Sequence, residues 1–128
     1  MTVNSLVLLG GMGLAGALGA VARYLVGRFI AERFLSQFPL GTFLINITGA
    51  FLIGLVFAIT GQKLISPAAQ SVLATGFLGG YTTFSTMNWE GLQLARGGSS
   101  VQSFLYLGGS FALGLGAELL GILVGKGL

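Results

Sequence analysis

The 128-residue sequence contains no cysteine and no histidine. Without cysteine there is no disulfide and no thiolate chemistry. Without either residue, the usual zinc ligands and histidine acid/base catalysis are excluded as well. Charge is almost as scarce: 7% of residues are charged, six cations against three anions. Soluble domains carry about 25% charged residues. The six cations are spread along the chain, so no basic patch points to nucleic acid. Only two prolines interrupt it.

What remains is apolar and small. Hydrophobic residues make up 54%, glycine accounts for 23 positions, and mean hydropathy is +0.93. An all-α integral membrane protein follows, organised as one four-helix transmembrane domain over residues 1–128. A span needs roughly 20 apolar residues at 1.5 Å rise each. Four segments qualify, at about 5–30, 41–62, 68–95 and 101–125. The linkers between them each carry a cation and turn-forming residues. Pro39 and Pro67 stand just ahead of helices, where a missing N–H does little harm. The N-terminus lacks a charged n-region and a cleavage site, and is expected to stay as part of the first span.

The third span is predicted to break near mid-membrane. Its centre reads Gly76-Phe77-Leu78-Gly79-Gly80-Tyr81-Thr82-Thr83-Phe84-Ser85-Thr86-Met87. Glycine costs roughly 1 kcal/mol in a helix interior relative to alanine. Backbone freed at membrane depth has to line a cavity or be buried in protein, because lipid cannot hydrogen-bond it. Small residues also recur every four positions: Gly16 and Ala20; Ala50 and Gly54; Gly108, Ala112 and Gly116; Ala117, Gly121 and Gly125. Such rows let helix backbones approach closely, either within one subunit or between subunits.

Four spans put both termini and the Lys63 loop on one side. That side carries Lys63 and Lys126; the other carries Arg28, Arg33 and Arg96. Orientation follows the Lys/Arg excess, and three against two is nearly no instruction. Dual insertion, and with it an antiparallel dimer, is compatible with that balance.

Polar residues at membrane depth usually face protein or water. Arg23, deep in the first span, either snorkels to the interface or caps carbonyls of a neighbouring helix. Asn46 shares a helical face with Thr42 and Gly49 and acts either as helix–helix glue or as an uncharged donor. Tyr106, Ser110 and Gly114 share a face of the fourth span, while Thr83, Thr86, Met87 and Glu90 share one beyond the break. Glu118 falls about two turns from Lys126, near an interface. No two carboxylates stand at helical spacing, so no hard-cation site is built from paired side chains. Hydroxyls, one amide and aromatics without a repeated charged ring suit a small ion or a neutral solute.

Gly-Ala-Val-Ala-Arg23-Tyr24, Gly41-Thr42-Phe43-Leu44-Ile45-Asn46-Ile47-Thr48-Gly49 and the run from Gly76 to Thr86 resemble, in order and over the whole chain, the CrcB/Fluc fluoride channel family. The resemblance implies a fluoride channel, not an enzyme, in a prokaryotic plasma (inner) membrane. It implies an antiparallel dual-topology homodimer with two pores, and a structural Na+ at the dimer centre held by backbone carbonyls of Gly79 and Thr82. Asn46 would donate to fluoride, Phe84 would present its positive ring edge, and Ser85, Thr86, Tyr106 and Ser110 would line the polar track. Arg23 and Glu90 would be structural charges. Two positions depart from the family pattern: Met87 stands where a second phenylalanine is usual, and Gly114 where another hydroxyl often lies. A rival of another class, a small dual-topology multidrug antiporter, needs a carboxylate in the first span, where this chain has Arg23. A purely structural assembly protein would leave the hydroxyl-aromatic run unexplained.

Overall fold

The structure is a computed structural model describing residues 3–36 and 38–128, without the Val3 side chain. The described residues are all-helical, with no strand among them. Helix α1 spans Val3–Arg33 and α2 spans Leu40–Gly61. Helix α3 covers residues 67–81: an α-turn at Pro67–Gln70, a π-helical stretch at Ser71–Leu78, and a last α-turn at Gly79–Tyr81. Helix α4 spans Phe84–Arg96 and α5 spans Ser100–Lys126. Helices α1, α2 and α5 are each long and apolar enough to cross a membrane. The third predicted span is instead the bent pair α3 and α4.

The bend falls at Thr82 and Thr83, whose backbones are extended (φ −80°, ψ 157° and φ −149°, ψ 119°). Within the glycine and threonine run that signalled it, the break therefore falls on the two threonines and not on the glycine pair. Gly79 keeps helical dihedrals. Gly80 serves a crossing instead: a Cβ there would collide with the Gly16 carbonyl, so α1 and α3 touch backbone to backbone. The α2–α5 crossing is built likewise, with Gly54 against the Glu118 carbonyl and Gly121 against the Phe51 carbonyl. Of the two small-residue rows in α5, the one through Gly121 and Gly125 packs on α2, while Gly108 and Gly116 meet nothing.

Ends are finished locally. Ser66 caps α3, its Oγ accepting from Ala69 N at 3.1 Å, with Pro67 in the first turn. Gln62 Nε2 donates to the Gly125 carbonyl at 2.7 Å, joining the α2–α3 turn to the end of α5. Residues of the α1–α2 and α4–α5 connections, Ser36, Phe38, Pro39, Gly97 and Ser99, share a cavity at the other end. This alternation matches the sidedness expected from the spans.

The core is thin: Ile45, Val56, Ala74, Leu78 and Tyr81 bury against Ala22, Val26, Ile53, Ile65 and Phe77. Thr48 and Tyr81 hydroxyls meet at 3.1 Å and tie α2 to α3. Most large apolar side chains point outward, with Leu14, Val101 and Phe104 each more than two-thirds exposed. In water such a surface would aggregate; facing lipid it is at home.

Candidate functional site

The site is built around the break. A helix that restarts at Phe84 leaves its first N–H groups without intrahelical partners. Asn46, on α2, meets one of them with both halves of its amide. Its Oδ1 accepts from Thr83 N at 2.9 Å, and its Nδ2 donates to the Thr83 carbonyl at 2.9 Å. Thr83 then caps α4: its Oγ1 accepts from Thr86 N at 3.4 Å and donates to Thr86 Oγ1 at 3.0 Å. In a continuous helix Thr83 N and Thr86 N would bind the carbonyls of Gly79 and Thr82. Both donors are diverted to side chains, so those two carbonyls lose their helical partners. Thr82 turns its own N–H and hydroxyl back to the Leu78 carbonyl, each at 2.9 Å.

Two cavities flank this junction, and Thr83 borders both. The smaller, about 290 Å³, is lined by Asn46, Thr82, Phe84, Met87, Ser110 and Phe111 among others. Asn46 spends one amide hydrogen on Thr83 and keeps the second, since a carboxamide carries two. Ser110 is buried, and its Oγ has no hydrogen-bond partner among the described residues. A buried hydroxyl without a partner is uncommon and calls for an explanation. Here it borders a cavity able to hold one. Phe84 is 62% exposed, and its ring meets Phe111 edge to face, centroids 6.3 Å apart at 77°. Met87 is buried at the cavity wall.

The larger cavity, about 730 Å³, gathers Arg23, Thr42, Thr86 and Glu90 at the loop end of α1. Glu90 accepts from the Tyr106 hydroxyl at 3.3 Å. Tyr106 is fully buried, packed edge-on against Phe38 with centroids 5.3 Å apart, and borders neither cavity. Ser85 is exposed and also borders neither. Of the residues singled out by sequence, the structure thus brings Asn46, Thr82, Phe84, Met87 and Ser110 to one cavity. It places Arg23, Thr86 and Glu90 in the other, and leaves Ser85 and Tyr106 outside both.

Three residues of the site carried no such assignment in the sequence reading. Thr83 is the residue that the amide of Asn46 grips, a pairing 37 positions apart that no local pattern encodes. Phe111 looks like any lipid-facing residue until its ring is seen beside Phe84. Glu118 borders the smaller cavity, although its distance from Lys126 suggested only an interfacial position.

The smaller cavity is thus lined by an amide, hydroxyls and two aromatic rings, with no cation among its described lining residues. A family model described as CrcB-like protein, Camphor Resistance (CrcB), matches residues 11–122. The chain is 50% identical over 114 residues to a protein of Acidobacterium capsulatum named fluoride-specific ion channel FluC, covering 88% of this chain and 91% of that one. It is 40% identical over 116 residues to the fluoride-specific ion channel FluC of Aquifex aeolicus, covering 90% and 94%. With fluoride-specific ion channel FluC 2 of Clostridium acetobutylicum it shares 42% over 104 residues, covering 81% and 86%. With half the residues shared and nearly the full length aligned, the chain belongs to the CrcB family.

Proposed function

We propose that this membrane protein is a fluoride-selective channel that lets the ion leave the cell by passive electrodiffusion, with the smaller cavity as part of its path. The observation that carries the assignment of the path is the buried, partnerless Ser110 hydroxyl in a cavity also lined by Asn46 and Phe84. Fluoride is small and strongly hydrated, so a pore has to replace water's hydrogen bonds. Neutral donors do that without trapping the ion, whereas a buried cation would hold it too tightly to release. Chloride, larger and a weaker acceptor, gains less from the same donors. Thr86 and Arg23 in the larger cavity would receive the anion at the loop end.

The pore is completed, on this reading, by a second antiparallel copy in the bacterial inner membrane, each chain contributing one four-span unit. The near-even cation balance permits both insertions. Phe84 and Ser85 stand exposed at membrane depth, where a hydroxyl facing lipid is costly, and a second copy would cover them. The carbonyls of Gly79 and Thr82, freed by the break, are suited to a structural Na+: a hard alkali cation takes oxygen ligands, and two copies would offer four. That ion would neutralise carbonyl dipoles brought together at the centre and would take no part in conduction.

Purified protein in liposomes is expected to release fluoride down its gradient with no proton gradient and no nucleotide. Efflux that required an opposing proton gradient would favour an exchanger instead.

A further inference from the structure

Glu118 is an ionisable group that the conduction path described above does not use. It borders the smaller cavity together with Ser110 and Gly114, its predecessors at i−8 and i−4 on α5. Eight residues, about 12 Å of helix rise, separate it from Lys126 at the end of α5, too far for a glutamate side chain to reach the helix end. Its backbone is fixed at the α2–α5 crossing by the contact of its carbonyl with Gly54. Among the described residues it has neither an ion pair nor a hydrogen bond. Among the described residues no neighbour supplies compensating charge. Leu40–Gly61 on α2 contains no titratable residue. On α4, Glu90 is engaged by Tyr106 and Arg96 lies at the far end; on α5 the nearest cation is Lys126. An unpaired carboxylate inside a membrane span marks a functional position by default.

We infer that Glu118 is a rate-setting residue of the anion path, a carboxyl group at the end of the smaller cavity nearer Lys126 that in its ionised form lowers the local fluoride concentration. A carboxylate there repels an approaching anion, thins its occupancy at that mouth, and holds the current below what the donors alone would pass. The inference rests on the fluoride-channel reading and adds to it a residue that restrains flux.

The test is the single-channel fluoride current in planar bilayers of wild type, E118Q and E118A, at low and at high ionic strength. Glutamine keeps the shape and removes the charge. At low salt E118Q is expected to raise the current by about threefold, the order of one partly screened charge near an ion's route, and added salt should shrink the gain. E118A should show the same gain. An unchanged or smaller current in E118Q, with unchanged gel-filtration behaviour, would overturn the inference while leaving the channel reading intact. A gain in E118A alone would assign the effect to volume and overturn it equally. A wild type that passes no fluoride would sink both.

Discussion

At the residue scale, the site separates groups that hold the fold from groups left over for a guest. Ser110 Oγ has nothing to lose within the chain, because it bonds to nothing. Ser110→Ala should therefore leave thermal stability within about 0.5 kcal/mol of wild type. Fluoride flux should fall about tenfold, the order of one donor worth ~1.4 kcal/mol. A stability loss with unchanged flux would assign the hydroxyl a packing role. Asn46 differs, since its amide both clamps Thr83 and keeps one hydrogen spare. Asn46→Asp retains the acceptor for Thr83 N but sets a carboxylate against the Thr83 carbonyl. It should abolish flux and cost about 1–3 kcal/mol in a denaturation series. The sequence showed that Asn46 was polar at depth and left glue and donor open. The structure shows the glue directly, and the spare hydrogen keeps the donor role available. Phe111 and Thr83 were not legible, because what matters about each is a contact across helices.

At the element scale, composition and hydropathy marked α1, α2 and α5 to within a few residues, since length and apolarity are local properties. The existence of a break in the third segment was also legible from glycine and threonine at membrane depth, and so was its place just ahead of Thr83. Which of the glycines and threonines leave the helix was not. Glycine reads the same whether it ends a helix or admits a neighbour, and Gly80 belongs to a crossing with α1. The extended backbone of Thr82 and Thr83 and the pairing of Asn46 with Thr83 show where the helix stops. The crossings make a separate prediction. Gly80→Ala and Gly54→Ala push a methyl into a facing carbonyl, and each should lower stability by about 1–3 kcal/mol. Gly61→Ala, at the end of α2 with open space around it, should be neutral or slightly stabilising. Thermal unfolding in one detergent, read for the three variants together, checks the contrast; equal effects would contradict the crossing geometry.

At the scale of the whole molecule, the balance of Lys63 and Lys126 against Arg28, Arg33 and Arg96 was readable by counting, and the loop ends fall on the sides the count requires. What that balance does in a cell is a property of insertion. The chain has no cysteine, so a single Gly127→Cys gives a clean reporter. With dual insertion, an impermeant thiol reagent should find accessible and protected populations together in intact cells. One population alone would rule out antiparallel pairing. Conduction itself is the central claim, and it is measured with a fluoride electrode on liposomes loaded with equal fluoride and chloride, with potassium leak supplied by an ionophore. Wild type should release fluoride rapidly and retain chloride, and Phe84→Ile should cut the fluoride rate sharply. Fluoride held inside by the wild-type protein, or chloride released alongside it at a similar rate, would contradict the account.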